Sequence, residues 1–262
     1  MQLFYREKGN PECPPLILLH GLWGASENWL PVAGFLAEKF HVILPDLRNH
    51  GNSPHSPEHS YESLTEDIIT FIQRLQLPQK PYIAGHSMGG KTLMLSLLKK
   101  PGIAQKAAII DIAPKNYPPH HHSFHRPLLE FARTFSFETC HSTSEVHQVI
   151  RKEIKQEELC QILFKNIRKR EGNFEWKINI SALLDHLAEL TAWNPPIQAT
   201  PYPYPLLFIR GELSDYLSAA DEPDIRLLFP LARFVSLPAA HHSIHAEQPQ
   251  ALAQTLTTFF LA

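Results

Sequence analysis

The chain has 262 residues, with 24 Lys and Arg, 26 Asp and Glu, and a formal net charge of −2. Apolar residues make up 44% of the sequence, which argues against extended disorder and for a full hydrophobic core. Because the charges of both signs are interspersed, neither nucleic acid nor an anionic membrane surface is expected as a partner.

The cysteines and the first residues of the chain indicate its compartment. Cys13, Cys140 and Cys160 cannot all pair, and their spacing matches no zinc-ligand pattern. The N-terminal residues are too charged for a signal peptide, and no apolar run has the length of a membrane span. We therefore expect a cytoplasmic protein in a reducing environment.

Short apolar runs recur along the chain, each followed by a turn and a helical pattern. Because these runs do not alternate with polar residues, they predict strands buried on both faces of a parallel sheet, at 16–19, 42–44, 81–84, 107–112, 205–209 and 234–237. Helices are predicted at 29–39, 63–75, 88–99, 221–229 and 249–260. This alternation predicts a doubly wound α/β fold.

The alternation stops between Pro114 and Pro205. Helical patterns at 144–154, 157–168 and 180–193, without a convincing strand, predict an all-helical insertion over one edge of the sheet, where α/β proteins bind ligands. We assign residues 1–114 and 205–262 to the core and 115–204 to this cap. The proline-rich residues 195–205 are interpreted as a stiff return linker.

A nucleophile pattern follows the predicted strand 81–84. Gly85-His86-Ser87-Met88-Gly89 matches Gly-x-Ser-x-Gly between a strand and a helix, the setting of a nucleophile elbow. The serine occupies a strained turn, so the residues two before and two after it must be nearly free of side chain. The N–H of Met88, at the start of the helix, is then directed at a developing oxyanion.

The same residues also fit a P-loop. Gly85 through Gly90-Lys91-Thr92 matches its spacing, and the apolar strand ending in Asp111 would hold Mg²⁺. A nucleotide hydrolase is therefore an alternative hypothesis. It leaves His20-Gly21 and the C-terminal histidines without a role, so we favour the elbow.

A second oxyanion donor is expected after an earlier strand. His20-Gly21-Leu22-Trp23-Gly24 follows the buried run 16–19, and acyl transfer needs an N–H that faces the one at the elbow. We assign this donor to Leu22, with Trp23 as the neighbouring candidate.

The base must come from the loop after a late strand. His241, His242 and His245 follow the strand 234–237, and position alone does not separate His241 from His242. His241 and His245 have the spacing of metal ligands on a helix, but no third ligand accompanies them, so no metal is expected.

Two aspartates are candidates for the triad acid. Asp111 and Asp215 each follow a predicted strand and give the chain order Ser, Asp, His. Either would hold the imidazole in the required tautomer and stabilise its charged form.

With these motifs in place, the chain resembles the small bacterial YbfF-type esterases of the α/β-hydrolase superfamily. The resemblance runs nearly end to end and rests on the segments 20–24, 46–51, 85–91, 111–114, 164–167, 171–176 and 242–247. It implies a lid of helices over a mostly parallel sheet, and hydrolysis of acyl esters or thioesters without a cofactor.

The resemblance also implies roles for individual residues. It places the base at His242 and favours Asp111 as the acid, assisted by Ser214. In the wider superfamily the position of the acid falls on Ser214 itself, so Asp215 lies one residue after that position. His241 and Ser243 stand where the family has glycine and tryptophan, so the local backbone and the pocket wall are expected to differ.

The predicted function is therefore hydrolysis of small acyl esters or thioesters through an acyl-enzyme on Ser87. A lyase of the menaquinone pathway on the same fold and a ligand receptor that retains the triad are alternatives. The histidine-rich residues 118–125 are expected to form a solvated loop rather than a metal tract. His55 and His59 are expected on the surface.

Overall fold

The computed structural model describes residues 1–118, 121, 123–195 and 200–262. Its strands are β1 (Tyr5–Lys8), β2 (Pro15–Leu19), β3 (His41–Pro45), β4 (Tyr82–His86), β5 (Ala107–Ile110), β6 (Ile167–Arg170), β7 (Asn173–Trp176), β8 (Leu206–Gly211) and β9 (Ala232–Leu237). Seven of them form one sheet in the order β1-β3-β2-β4-β5-β8-β9, in which only the β1–β3 pair is antiparallel. The predicted α/β fold with a mostly parallel sheet is confirmed.

The helices of the described residues are α1 (Leu30–Leu36), α2 (Tyr61–Arg74), α3 (Met88–Lys99), α4 (His125–Thr134), α5 (Thr143–Glu153), α6 (Glu157–Lys165), α7 (Ile180–Asp185), α8 (Leu187–Thr191), α9 (Glu222–Leu228), α10 (Ile244–Glu247) and α11 (Pro249–Leu261). Buried side chains of α1 and α11 pack on one face of the sheet, and those of α2 and α3 pack on the other. The central strands are buried on both faces, as their continuous apolar sequences predict.

The edge strand β1 was not expected from the sequence. Its residues, Tyr-Arg-Glu-Lys, contain no apolar run, and most of them are exposed. The strand exists because its backbone pairs with β3, which gives four aligned residue pairs. Edge strands carry charged residues of this kind because one side faces solvent.

The region between β5 and β8 contains α4 to α8 and also a hairpin, so the expectation of an all-helical insertion is wrong. The predicted helix 157–168 ends at Lys165, and β6 pairs with β7. The two residues that connect these strands, Glu171 and Gly172, both have positive φ, at 50° and 88°. Two-residue hairpin loops with positive φ match the twist of the paired strands. The predicted division of the chain at 114/115 and 204/205 stays a prediction.

Two expectations about histidines are wrong within the described residues. His59 is buried, with its Nδ1 at 3.2 Å from Nδ2 of Asn49. His125, which was expected in a solvated loop, begins α4 and is 8% exposed. Residues 119, 120 and 122 of that loop, and residues 196–199 of the proline-rich linker, lie outside the described residues.

None of the helices in the described ranges combines the length and the apolar character that a membrane crossing requires.

Candidate active site

Ser87 lies at the sharp turn between β4 and α3. Its backbone angles, φ 52° and ψ −119°, fall outside the regions that residues with a Cβ favour. A Cβ on Gly85 would lie 2.4 Å from the carbonyl oxygen of Gly89, and a Cβ on Gly89 would lie 2.6 Å from that of His20. The close approach of backbone on both sides therefore requires glycine at the two outer positions of the pattern.

The Ser87 hydroxyl lies within hydrogen-bond distance of one histidine. Its Oγ is 3.1 Å from Nε2 of His242, and Nδ1 of His242 is 2.7 Å from Oδ2 of Asp111. A carboxylate can only accept, so Nδ1 carries the ring proton and Nε2 keeps the lone pair that accepts from the serine. Serine, imidazole and carboxylate are thus joined in one hydrogen-bonded row.

Asp111 is fully buried at the end of β5. Its Oδ1 accepts the backbone N–H of Gly211 at 3.0 Å, and its Oδ2 accepts the hydroxyl of Ser214 as well as the ring of His242. These donors satisfy the carboxylate in its charged form, which is the form that stabilises an imidazolium.

The alternative base and acid lie outside this row. The side chain of His241 is 66% exposed and pairs with Glu247 at 3.3 Å. The side chain of Asp215 is 72% exposed. The structure therefore brings His242 and Asp111 to the serine, and leaves their two competitors at the surface.

Two aromatic rings enclose His242. The ring of Tyr216 stacks on the imidazole with a centroid distance of 3.7 Å, and the ring of His86 lies 4.7 Å away. The Nε2–H of His86 donates to the backbone carbonyl of His242 at 2.8 Å. Burial, together with His242 and His245, lowers the pKa of His86 well below its usual value, so this ring stays neutral.

The turn after β2 lies directly against the serine. A Cβ on Gly21 would lie 3.1 Å from Cβ of Ser87. The N–H of Gly24 donates to the carbonyl of Gly21 at 3.0 Å and closes a four-residue turn, residues 21–24, in which Trp23 has φ 65°. Turns that require positive φ at the third position favour glycine there, so Trp23 holds a disfavoured conformation.

Two backbone N–H groups near the serine are free to bind an anion. Within the described part of the chain, no hydrogen bond uses the N–H of Leu22 in the turn or that of Met88 at the start of α3. Both are candidate oxyanion donors, and the N–H of Trp23 is the neighbouring one.

A cavity of about 200 Å³ opens around the serine. One wall consists of the turn after β2 and the first residues of α3. The region between β5 and β8, called the cap region below, closes the cavity with apolar side chains from three helices or their flanks: Phe124, Ile162, Leu187 and Leu190. An apolar cavity with a few convergent polar groups is the usual form of a small-molecule site.

Comparison with known proteins identifies the family. A model of the alpha/beta hydrolase family matches residues 16–255. The chain belongs to this family. The sn-1-specific diacylglycerol lipase ABHD11 of Danio rerio is 32% identical over 255 residues, which cover 96% of this chain and 80% of that one.

Esterases are among the relatives of this alpha/beta hydrolase. Esterase YbfF of Escherichia coli is 29% identical, and the match covers 94% of this chain and 92% of that one. The solved structure of a marine microorganism esterase superposes with a TM-score of 0.92 at 37% identity and covers 98% of this chain and 99% of that one. The resemblance to YbfF-type esterases is therefore confirmed.

In this hydrolase the side chain of Lys91 binds backbone carbonyls, which is not the role that the P-loop hypothesis gives it. Its Nζ donates at 3.0, 3.1 and 2.8 Å to the backbone carbonyls of Lys115, Thr191 and Ala192. These bonds use all three ammonium donors and leave none for a phosphate. Burial, followed by the nearby Lys115, lowers the pKa of Lys91 to about 7. Lys91 is therefore not available to bind a phosphate, as the P-loop hypothesis requires.

Within the described ranges, no group of three or more His, Cys, Asp and Glu side chains is arranged to hold a metal ion. His245 packs against the rings of His86 and Trp29.

Sequence reasoning missed Tyr216, Asn166 and His125 as residues that support the site. Asn166 and His125 contact Trp23, and Tyr216 contacts His242. Asn166 lies in the segment 164–167 that carries part of the resemblance, but no role was assigned to it, and His125 and Tyr216 belong to no such segment. The only signal for Tyr216 is its position two residues after Ser214.

Proposed function

We propose that this hydrolase cleaves carboxylic esters of small acyl substrates through an acyl-enzyme on Ser87. The observation that carries the proposal is the hydrogen-bonded row from Ser87 through His242 to Asp111, at 3.1 and 2.7 Å, inside an apolar cavity. A serine with such an imidazole is the arrangement that activates a hydroxyl as a nucleophile.

The coarser assignment does not depend on these residues. The chain is a carboxylesterase-type hydrolase of the alpha/beta hydrolase family, with esterases and lipases as its relatives. The proposal adds which atoms do the chemistry.

Acylation begins at the serine. Nε2 of His242 takes the proton from Ser87 as Oγ attacks the ester carbonyl, and the carbonyl oxygen becomes an oxyanion. The N–H groups of Leu22 and Met88 donate to this oxyanion, which is the charge that develops in the transition state. His242 then gives its proton to the departing alcohol as the C–O bond breaks.

Deacylation repeats the sequence with water. His242 takes a proton from water, the hydroxide attacks the acyl carbonyl, and the proton returns to Ser87 as the free acid leaves. Asp111 keeps its charge throughout and fixes the tautomer of the ring. Ser214 and Gly211 hold the carboxylate in the orientation that this requires.

Thioesters fit the same proposal. The steps are unchanged except that a thiol leaves, and a thiolate needs less help from His242 because it is a weaker base than an alkoxide. The cytoplasmic location expected from the sequence stays a prediction.

The test uses p-nitrophenyl esters of graded acyl length, acyl thioesters of the same acids, and a fluorophosphonate that labels activated serines. We expect wild-type protein to hydrolyse the esters and to be labelled on Ser87. Ser87→Ala should lower kcat by a factor on the order of 10⁴ or more and abolish labelling.

The matched control is Ser243→Ala, because Ser243 lines the same cavity. It should leave labelling on Ser87. Ester hydrolysis that survives in Ser87→Ala, or a label on any other serine, would reject the proposed nucleophile.

A further inference from the structure

We propose that Asn166, a residue of the cap region, is a positioning residue for the oxyanion hole. Its side chain fixes the turn of residues 21–24, which supplies the N–H of Leu22. The inference rests on the proposed function, because it concerns the donor that the acyl-transfer mechanism uses.

Asn166 itself is held in one orientation. It follows the last residue of α6 and is 3% exposed. Its Nδ2 donates to the carbonyl of Trp23 at 2.9 Å and to that of Ile162 at 2.9 Å, so both amide protons are used. The backbone carbonyl of Asn166 accepts the N–H of Lys177 at 2.7 Å. The side-chain amide of Asn166 therefore contacts the turn from a backbone that is itself held by a hydrogen bond.

The hydrogen bond from Asn166 completes the pairing of one peptide unit of the turn, which is then bonded through both its carbonyl and its N–H. The peptide between Trp23 and Gly24 offers its carbonyl to Asn166 and its N–H to the carbonyl of Gly21, at 2.9 and 3.0 Å. With this plane fixed, the preceding peptide units of the turn have little freedom. The hydrogen bond from Asn166 therefore restricts the direction of the Leu22 N–H.

The turn needs this support because Trp23 is in the left-handed region, at φ 65°. A large side chain disfavours this region, and residues in it persist only where surrounding contacts enforce them. A rotation of the neighbouring peptide would relieve the conformation and redirect the N–H groups of the turn.

A second element of the cap region holds the side chain of the same residue. The indole Nε1–H of Trp23 donates to Nδ1 of His125 at 2.9 Å, and His125 begins α4. Main chain and side chain of Trp23 are thus bound by two segments that lie far from it in sequence. The cap region therefore takes part in catalysis through the turn as well as by enclosing the substrate.

The experiment compares Asn166→Ala and Asn166→Asp with wild type on a p-nitrophenyl ester. We expect kcat to fall about 10- to 100-fold in Asn166→Ala while KM stays within about twofold, because an oxyanion donor acts on the transition state and not on the bound ester. Asn166→Asp should be worse, since a carboxylate would face the carbonyl of Trp23. The affinity for a trifluoromethyl ketone, which binds as a tetrahedral oxyanion, should fall by the same factor as kcat/KM.

The matched control is Asn179→Ala. Nδ2 of Asn179 also joins this region to the core, through the carbonyl of Ser56 at 3.0 Å and Oδ1 of Asn49 at 3.1 Å, but it does not touch the turn. We expect a lower Tm for this variant with kcat and ketone affinity near wild type. Near-UV circular dichroism gives the folded fraction to which each rate is normalised.

Wild-type kcat and ketone affinity in folded Asn166→Ala would overturn the inference, and so would equal losses in Asn179→Ala. If Ser87→Ala is inactive in the same assays, either of these outcomes overturns only the role of Asn166, and the proposed function stands. If Ser87→Ala remains active, the proposed function fails first and this inference fails with it.

Discussion

The phenol ring of Tyr216 lies almost parallel to the imidazole of His242, with ring centroids 3.7 Å apart and an interplanar angle of 16°. The hydroxyl of Tyr216 donates to the carbonyl of His121 at 3.0 Å, which anchors the far edge of the ring. In the proposed mechanism His242 becomes an imidazolium in both half-reactions. A cation over an aromatic face is stabilised by about 0.5–2 kcal/mol, so Tyr216 supports the base in its charged form.

Two replacements of Tyr216 should therefore distinguish the contribution of its ring to kcat/KM from that of its hydroxyl. We expect Tyr216→Leu to lower kcat/KM about tenfold, because the imidazolium loses about 1.4 kcal/mol of support and the ring loses its packing partner. Tyr216→Phe keeps the aromatic face and should stay within about threefold of wild type. Steady-state kinetics on one ester measures both, and equal losses in the two variants would assign the effect to the hydroxyl instead.

Asp111 and Asp215 should differ sharply on substitution. Asp111→Asn is expected to lower kcat by about 10⁴-fold, because the amide favours the wrong tautomer of His242. Asp215→Asn serves as the control and should retain activity, since its side chain is 72% exposed. Ser214→Ala removes one hydrogen bond to the carboxylate and should cost about tenfold. A large loss in Asp215→Asn with an active Asp111→Asn would reverse the assignment.

The elbow should tolerate no side chain at Gly85. A Cβ there would lie 2.4 Å from the carbonyl oxygen of Gly89, so Gly85→Ala should lower the free energy of unfolding by about 3 kcal/mol or more and abolish ester hydrolysis. Gly102→Ala is the matched control, because its Cβ would meet only the flexible end of Lys80 at 3.6 Å. Its stability should stay within about 0.5 kcal/mol of wild type in urea unfolding. Equal stability of the two variants would contradict the steric argument.

Buried histidines should make the protein sensitive to acid. Burial lowers the pKa of His59 to about 3 and that of His245 to about 4, from 6.5 in an unfolded chain. Between these values the unfolded state binds more protons than the folded state. The free energy of unfolding therefore falls as the pH drops below about 6.5, by about 1.4 kcal/mol per pH unit near pH 5 for each of the two residues.

Urea unfolding at pH 7, 6 and 5 with constant ionic strength measures this slope. His59→Gln should reduce it by about 1.4 kcal/mol per pH unit near pH 5, because one proton fewer is taken up on unfolding. His245→Gln should also reduce the slope, since burial lowers the pKa of His245 to about 4. An unaltered slope in His59→Gln would mean that His59 is protonated in the folded protein.

Local sequence determined the sheet and the nucleophile turn. All six strands expected from apolar runs overlap strands of the structure. Five of them are buried on both faces, which leaves a signal in consecutive residues, whereas β9 at the edge of the sheet is partly exposed and the expectation of burial on both faces is wrong there. The pattern Gly-x-Ser-x-Gly predicts both glycines around Ser87, although a contact within a few residues explains only Gly85. A Cβ on Gly89 would meet the carbonyl of His20, which is remote in the chain. The edge strand β1 and the hairpin β6–β7 were missed because their residues are mostly polar and their pairing is with other segments.

Spacing did not choose between His241 and His242, or between Asp111 and Asp215, and the resemblance to esterases pointed to one of each. Neighbouring residues in a loop can face opposite directions, and only the packed core fixes which one faces inward. In the structure the ring of His242 is enclosed by Tyr216, and the side chain of His241 reaches Glu247 at the surface.

Only the tertiary structure decided how the cap region supports the site. Asn166 and Trp23 are 143 residues apart in the chain, and His125 and Trp23 are 102 apart. A contact of this kind leaves no periodicity in the sequence, because it joins two segments that are far apart in the chain. The amino-acid sequence therefore determined which groups could do the chemistry, and the packing of the cap region on the sheet decided which of them meet.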